Sequence, residues 1–197
     1  MTYGTLDPDD PAQVAEYERG FYLAYASLTD NTLVRRIWEW DDVEGRVRTR
    51  IPYRDQIVYC WRDGAGLLAG AMAVNLVPER TFQAAAFGFT PPSPPASDSG
   101  AGCEILNVMG TRDGCRWTRS TYADFVQDFV YSDLALRGFD VAYSTCTRRR
   151  LRPYVFLGAE MMNRECIDGE ERFFLRWPVR PTSLDLTVRT GQTVAGR

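Results

Sequence analysis

The sequence contains no histidine and no lysine, so all 23 of its basic residues are arginine. Without histidine, neither a Ser-His-Asp triad nor a Cys-His pair can form, and His-ligated metal sites are excluded. Without lysine, no Schiff base can form with a carbonyl substrate, and no Walker lysine can hold a phosphate. Any proton acceptor must therefore be an aspartate, a glutamate, a tyrosine, a cysteine or a water molecule.

Long apolar runs and paired cysteines are also missing. No stretch reaches the roughly 18 apolar residues that a membrane-spanning helix needs, and the acidic N-terminal segment is unlike a signal peptide. The five cysteines show no C-x-x-C spacing, which predicts reduced thiols, a cytoplasmic location and no metal site. The net charge of −3 argues against nucleic acid as the main partner. Neither a membrane nor a nucleic acid is therefore expected as a partner.

Hydrophobic periodicity and turn residues predict alternating strands and helices in the first half of the chain. The helix is indicated by Val14, Tyr17, Phe21 and Tyr25, which recur at helical spacing. The expected elements are a strand (2–6), this helix (11–28), a short helix capped by Thr29 or Asp30 (29–38), a charged loop (39–54) and a hairpin with strands 56–62 and 67–77 that turns at Asp63-Gly64.

The second half begins with a linker rich in proline and serine (78–100), in which AAFGF is expected as a loop or a short strand. An apolar run between glycines (102–110) predicts a buried central strand. A helix capped by Thr118 or Ser120 should end at Gly138, and a further strand follows it. A short helix that ends at Gly158 and a hairpin that turns at Asp168-Gly169 complete the pattern. Strand, helix and strand in succession imply a parallel crossover and an α/β (α+β) fold.

This order of elements resembles that of the GCN5-related N-acetyltransferase (GNAT) superfamily over residues 2–177. The segment YVFLGA, which starts at Tyr154, is similar to the family's Y-x-x-L-G-F, with Ala159 in place of the phenylalanine. The hairpin with Asp63-Gly64 and Gly70 is similar to its D-G-x-x-x-G turn. The resemblance implies one domain over residues 1–177, a mostly antiparallel sheet with a central parallel strand pair splayed open, and flanking helices. Residues 178–197 are expected to be a polar extension.

The resemblance also implies an activity, which is transfer of an acyl group from a pantetheine thioester to an amine or hydroxyl of a small molecule. Acyl-CoA or an acyl-phosphopantetheine on an acyl carrier protein would be the co-substrate, and no cofactor would be tightly bound. A decarboxylase of acyl thioesters and a non-catalytic thioester-binding module are the alternatives on the same fold. The segment CEIL at 103–106 is also similar to the acidic strand segment of acyl-homoserine-lactone synthases and N-acyl amino acid synthases. The WEWDD segment at 38–42 is loosely like the charged N-terminal region of those synthases.

By the same resemblance, two groups of residues would hold the pantetheine thioester. The central strand would pair with the pantetheine amides and polarise the thioester carbonyl through Leu106, Asn107, Val108 and Met109, and Thr145 would approach from the next strand. The pyrophosphate loop, R-x-x-G-x-G/A in the family, corresponds to Arg112, Gly114, Arg116 and Thr118. Arg116 and Trp117 stand where the family has small residues, and such a loop also suits the single phosphate of a carrier-protein thioester.

Two side chains are candidates for the chemistry. Glu104 is an acid in an apolar strand, where burial would raise its pKa and make it a general base. The alternative is a carboxylate that faces solvent or pairs with an arginine. Tyr154 matches the tyrosine that protonates the leaving thiolate in many family members, and the alternative is a tyrosine packed on the core. Cys146 is expected to be a buried small residue, because the chain has no histidine or lysine that could generate its thiolate. Cys115 lies among arginines, which would make its thiol more acidic, but it is expected to be a bystander.

The arginine cluster RRRLR at 148–152 has three interpretations. It could bind nucleic acid, it could bind an acidic carrier protein or a coenzyme phosphate, or it could be a solvated helix face. The acidic overall charge favours the second interpretation over the first. Four aromatic residues could line an acyl pocket or belong to the core, namely Trp38, Trp40, Phe87 and Phe89.

Overall fold

The computed structural model describes residues 1–28, 32–90, 101–110 and 122–181. Within these ranges the strands are β1 (Thr2–Thr5), β2 (Glu39–Asp41), β3 (Arg46–Arg48), β4 (Gln56–Arg62), β5 (Leu68–Asn75), β6 (Ala101–Gly110), β7 (Phe139–Thr147), β8 (Glu160–Ile167) and β9 (Glu170–Pro178). Seven of them form one sheet in the order β1-β4-β5-β6-β7-β9-β8, while β2 and β3 pair separately. All neighbours in the large sheet are antiparallel except β6 and β7, which are parallel.

Helices lie on both faces of the sheet. They are α1 (Pro11–Tyr25), α2 (Val34–Ile37), a π-helical segment (Tyr122–Val130) that continues into α3 (Tyr131–Leu136), and α4 (Arg148–Phe156), with 3-10 turns at Tyr53–Asp55 and Gln83–Phe87. The sequence explains where α1 begins, because Asp10 accepts hydrogen bonds from the N–H groups of Ala12 and Gln13, and proline occupies the first helical position.

Each face of the sheet has its own hydrophobic core. Tyr17 and Phe21 of α1 pack with Leu106 and Met109 of β6 on one face. On the other face, Phe125, Leu134 and Leu175 pack with Cys103 and Ile105. Because β6 contributes to both cores, its sequence is a nearly continuous apolar run rather than an alternating one.

The predicted fold class is confirmed, including the parallel crossover and the strand pair that diverges. The turn at Asp168-Gly169 is confirmed by φ angles of 52° and 82°, which both belong to the left-handed region that such two-residue turns require. Gly138 and Gly158 also have positive φ, as expected where helices end.

Three local predictions are wrong. Residues 39–54 were expected as a loop but contain the hairpin of β2 and β3, whose alternation is too short to recognise in a charged segment. The hairpin after β4 does not turn on Asp63-Gly64 alone, since Gly66 carries the positive φ and the Asp63 side chain accepts from Ala65 and Leu67. The AAFGF segment is neither strand nor loop, because most of it lies in the 3-10 turn Gln83–Phe87.

Several predictions concern residues outside the described ranges. These are the helix caps at positions 29, 30, 118 and 120, most of the proline-rich linker and the extension beyond residue 181. The start of that extension is packed, since Val179 is buried and donates its N–H to the carbonyl of Asp140. The boundary at residue 177 stays a prediction. No described helix is both long and apolar enough to span a membrane.

Candidate functional site

The parallel strands β6 and β7 separate in the middle of the sheet. Their pairing runs from Ala101 with Phe139 to Glu104 with Tyr143, and no later pair joins them within the described residues. A cleft of about 750 Å³ opens at this point. Its strand walls are residues 105–110 of β6 and 144–147 of β7, so it passes between the two faces of the sheet. This volume lies in the range of sites for small molecules, which is roughly 300–1,000 Å³.

A bulge in β6 shapes one side of the cleft. The register between β5 and β6 shifts between Ala73 and Val74, so that Leu106 is the extra residue. Leu106 packs in the α1 core and the side chain of Asn107 reaches Tyr17 of α1, so two consecutive residues face the same helix. We call the side of the cleft formed by Tyr25, Gln83 and Asn107 the α1 wall. The opposite side, formed by Arg149, Arg150 and Tyr154, is the α4 wall.

Glu104, the predicted base, lies behind the α1 wall and does not line the cleft. Its side chain is 2% exposed. One carboxylate oxygen accepts from the N–H of Ala84 at 2.8 Å, and the other from the N–H of Gln83 at 2.9 Å and the amide of Asn75 at 3.2 Å. Burial raises the pKa of Glu104 to about 7, although the three hydrogen bonds act in the opposite direction. Its role as a base therefore stays a prediction.

Gln83 connects this carboxylate to the cleft. The Gln83 side chain lines the cleft, accepts from the indole of Trp38 at 2.8 Å and donates to the carbonyl of Leu106 at 3.0 Å. Trp38 and Phe87 also line the cleft, which agrees with the interpretation that aromatic residues line a pocket. Phe89 stacks on Phe174 in the α1 core instead, and Trp40 packs on Trp38 outside the cleft.

Tyr25 lines the cleft, although its helical spacing predicted only a position on the apolar face of a helix. Its hydroxyl donates to the carbonyl of Val108 at 2.9 Å. Its ring stands edge-on to those of Trp38 and Phe21, with centroid distances of 4.8 Å and 5.3 Å. Burial raises the pKa of Tyr25, so the hydroxyl remains protonated at neutral pH. A tyrosine at i+4 spacing from Phe21 looks like part of an apolar stripe, and no sequence signal marks its hydroxyl.

Tyr154, the predicted acid, lies on the α4 wall and lines the cleft. Its ring stands edge-on to that of Trp177 at 5.3 Å, and burial raises its pKa above the usual value. The hydroxyl is therefore neutral and can donate a hydrogen bond, while its acid role stays a prediction. Arg150 precedes it by one helical turn, so the two side chains share a face of α4.

Arginines are the charged groups of the cleft. Arg149 and Arg150 are exposed on α4, while Arg172 of β9 is 3% exposed. The Arg172 guanidinium pairs with Glu170 at 2.6 Å and lies 4.6 Å above the ring of Phe87. Sequence reasoning missed Arg172, because one charge in an alternating strand is typical of a solvent-facing position. No aspartate or glutamate lines the cleft among the residues that the structure describes.

The structure brings together some of the predicted binding residues. Leu106, Asn107, Val108, Met109 and Thr145 line the cleft. The four predicted residues of the pyrophosphate loop lie outside the described ranges, as does Cys115; they are Arg112, Gly114, Arg116 and Thr118. Cys146 also lines the cleft, and burial raises the pKa of its thiol to about 12, which disfavours a reactive thiolate.

A seven-stranded sheet whose central parallel pair splays around a cleft is the feature that decides the fold. The chain has the GNAT fold. It is similar to three solved structures: BjaI, a CoA-dependent acyl-homoserine lactone synthase solved with SAM and isopentyl-CoA; FeeM, an N-acyl amino acid synthase from uncultured soil microbes; and the ribosomal-protein-S18-alanine N-acetyltransferase from Escherichia coli.

The likeness to these GNAT-fold structures extends over nearly the whole chain at low sequence identity. BjaI is 13% identical with a TM-score of 0.59, over 90% of this chain and 82% of BjaI. FeeM is 10% identical with a TM-score of 0.53, over 91% and 95%. The Escherichia coli enzyme is 12% identical with a TM-score of 0.51, over 95% and 99%. No protein-family model matches the sequence, and no curated protein matches it.

Proposed function

We propose that this chain is an enzyme that transfers an acyl group from a pantetheine thioester to an amine of a small molecule. The observation that carries the proposal is the cleft between β6 and β7, whose backbone edges stand open beyond Glu104 and Tyr143. Free N–H and C=O groups on a strand edge can pair with the amides of an extended ligand. That BjaI was solved with isopentyl-CoA and SAM supports an acyl thioester and an amine as the two substrates.

The donor is acyl-CoA or the acyl-phosphopantetheine of a carrier protein. Both carry phosphate, and among the described residues the exposed cations that line the cleft are Arg149 and Arg150 of the α4 wall. Arginine forms charge-assisted hydrogen bonds with phosphate oxygens. The thioester therefore enters along the α4 wall, and the acceptor approaches from the α1 wall.

The reaction is a direct attack. The amine nitrogen bonds to the thioester carbon, the carbon–sulfur bond breaks, and the proton lost by nitrogen ends on the sulfur. The N–H of Val108 stabilises the oxyanion. The carbonyl of Val108 accepts a hydrogen bond from Tyr25 in the cleft. Because a residue in an extended strand directs its N–H and C=O to the same edge, the N–H of Val108 also faces the cleft. The neutral Tyr154 hydroxyl donates to the leaving sulfur. Glu104 would have to act from behind the α1 wall, and full turnover in Glu104→Gln would remove it from the mechanism.

Calorimetric titration with acetyl-CoA, octanoyl-CoA and octanoyl carrier protein tests the proposal, together with a screen of small amines for acyl product. We expect saturable binding of at least one thioester and amide formation with at least one amine. Thr145→Tyr, which places a large side chain in the cleft, should abolish binding. Thr5→Tyr on the exposed strand β1 is the matched control and should bind normally.

The two alternatives on the same fold correspond to other outcomes of this experiment. Carbon dioxide release from malonyl-CoA without an acceptor would make the protein a decarboxylase. Thioester binding with no product from any acceptor would make it a binding module. Absence of binding to every thioester would contradict the proposed function altogether.

A further inference from the structure

A buried carboxylate holds the turn that lies next to the bulge of β6. Glu104 accepts from the backbone N–H groups of Gln83 and Ala84, at 2.9 Å and 2.8 Å. The same carboxylate accepts from the side-chain amide of Asn75 at 3.2 Å. A glutamine in place of Glu104 would have only one acceptor oxygen, and its NH2 group would face one of these donors. The start of the turn therefore depends on the carboxylate.

The side chain of Gln83 returns from this turn to the strand that carries Glu104. Its amide nitrogen donates to the carbonyl of Leu106 at 3.0 Å, and its amide oxygen accepts from the indole of Trp38 at 2.8 Å. Leu106 is the extra residue of the bulge and stands outside the regular pairing with β5. The hydrogen bonds from Glu104 through Gln83 to Leu106 thus form a path that begins and ends on β6.

The hydrogen bond to Leu106 acts on the backbone that the proposed mechanism uses. Because peptide groups are planar, Gln83 orients the peptide that joins Leu106 to Asn107. Tyr25 orients the peptide after Val108 in the same way, through its hydrogen bond to the Val108 carbonyl at 2.9 Å. The peptide that carries the Val108 N–H lies between these two. The direction of this N–H is therefore set from both sides.

The position of Glu104 suits this indirect role better than proton removal. A general base must reach the proton that it takes, either directly or through one water molecule. Glu104 is 2% exposed and does not line the cleft, whereas Gln83 does. The Gln83 side chain is an amide, which does not titrate, so it transmits a position and not a proton.

We propose that Glu104 and Gln83 are positioning residues, which together hold the bulge of β6 in the shape that directs the Val108 N–H at the thioester oxygen. This inference rests on the proposed acyl transfer, and it assigns to Glu104 an action through Gln83 instead of proton removal from the amine. The bonds that form and break are those of the direct attack. Neither residue exchanges a proton with the substrates.

The first experiment measures kcat at saturating acyl-CoA with the amine that gives the fastest turnover in the screen above. Gln83→Leu should lower kcat about tenfold to a hundredfold, because a misdirected N–H loses much of its effect on the oxyanion. The dissociation constant of acyl-CoA should stay nearly the same, since the lost interaction belongs to the transition state. Thermal melting shows whether the variant is folded, and Gln83→Met replaces it if it is not.

Gln56→Leu is the matched control for this experiment. Gln56 is also buried and also donates to a backbone carbonyl, that of Ile51 at 2.6 Å, but it does not line the cleft. It should lower stability and leave kcat unchanged. Equal kcat in Gln83→Leu and Gln56→Leu would overturn the positioning role of Gln83.

The second experiment separates positioning from base catalysis. If the two residues act as one unit, combining Glu104→Gln with Gln83→Leu should lower kcat no more than the more damaging single change does. The loss in Glu104→Gln should also be the same for amines of high and low pKa. If Glu104 were a base, the two losses would multiply, and amines of low pKa, which are already neutral, would suffer less. Either result would overturn the proposal.

The third experiment needs no turnover, so its outcome does not depend on the proposed function. The indole N–H of Trp38 reports on Gln83, to which it donates. In NMR spectra with isotope-labelled tryptophan, assigned with Trp38→Phe, Glu104→Gln should shift the Trp38 indole signal. The signal of Trp177, in the other core, should stay in place. Glu18→Gln changes a buried carboxylate of α1 and should move neither signal.

A Trp38 signal that does not respond to Glu104→Gln would overturn the link between the carboxylate and Gln83, even with acyl transfer established. A signal that responds equally to Glu18→Gln would overturn it too, because the shift would then reflect a general disturbance of the core.

Discussion

The α1 wall and the α4 wall present polar groups in opposite ways. Behind and along the α1 wall, Glu104, Gln83 and Tyr25 are held by hydrogen bonds to backbone groups of the Gln83–Phe87 turn and of β6. On the α4 wall, Arg150 is an exposed side chain that lines the cleft. The α1 wall is therefore preorganised before any ligand binds, whereas the α4 wall offers charge to a ligand that arrives from solvent.

Removal of the Glu104 carboxylate is expected to damage the α1 wall most. Glu104→Ala leaves two backbone N–H groups and the Asn75 amide without an acceptor and opens a cavity, which should cost about 4 kcal/mol in the free energy of unfolding. Urea denaturation measures this change. Glu160→Ala removes an exposed carboxylate paired with Arg176 and should cost less than about 1 kcal/mol. Equal losses in the two variants would show that the α1 wall does not depend on Glu104.

The same carboxyl should make stability depend on pH. Burial raises the pKa of Glu104 from 4.5 to about 7, so the folded protein holds this proton more tightly than the unfolded chain does. The resulting stabilisation is fully present below pH 4.5 and is lost as the pH rises through about 7, by roughly 3 kcal/mol.

Glu104→Gln cannot titrate and is the reference for this pH effect. Subtracting its unfolding free energy from that of the unchanged protein, at each pH from 4 to 9, isolates the contribution of the carboxyl. The difference should decline across pH 5–8. A flat difference would mean that the pKa of Glu104 is not raised, because its hydrogen bonds would then fully offset the effect of burial.

The sequence could predict the α4 side of the site better than the α1 side. Tyr154 belongs to a local segment that ends in Gly158, and a short motif of this kind carries its own geometry. β6 was recognisable because glycines bound an apolar run. Glu104 shows the limit, because its hydrogen-bond partners are Asn75, Gln83 and Ala84, which lie 20 or more residues upstream. The sequence alone therefore indicated an acid in an apolar strand, but it did not indicate which groups the carboxylate of Glu104 binds.

Tyr25 and Arg172 illustrate the same limit for the cleft. Helical spacing placed Tyr25 on a buried face correctly, but only the divergence of β6 and β7 turns part of that face into a cleft wall. Arg172 can be buried because its guanidinium pairs with Glu170 and lies over the ring of Phe87. Phe87 belongs to a different segment of the chain, so the local sequence around Arg172 does not indicate this contact. The hairpin of β2 and β3 was missed for a simpler reason, since three-residue strands are too short to show alternation.

The smallest effect is expected on the α4 wall, and it should differ in kind from the effects on the α1 wall. Arg149→Met should weaken acyl-CoA binding about threefold to tenfold at low salt, because an exposed cation contributes on the order of 1 kcal/mol to an anionic ligand. This loss should shrink as ionic strength rises, since screening weakens exposed charges. Arg152→Met is the control, because Arg152 lies on the same helix away from the cleft.

Asn107→Leu completes this comparison of the two walls. Asn107 donates to the hydroxyl of Tyr17 beside the cleft, so this variant should lower turnover. The loss should persist at high salt, because a buried neutral hydrogen bond is not screened. If the defect of Asn107→Leu disappeared with salt, or that of Arg149→Met did not, the assignment of charge to one wall and fixed hydrogen-bond acceptors to the other would be wrong. Opposite salt responses in these two variants would separate a wall that acts through exposed charge from a wall that acts through buried hydrogen bonds.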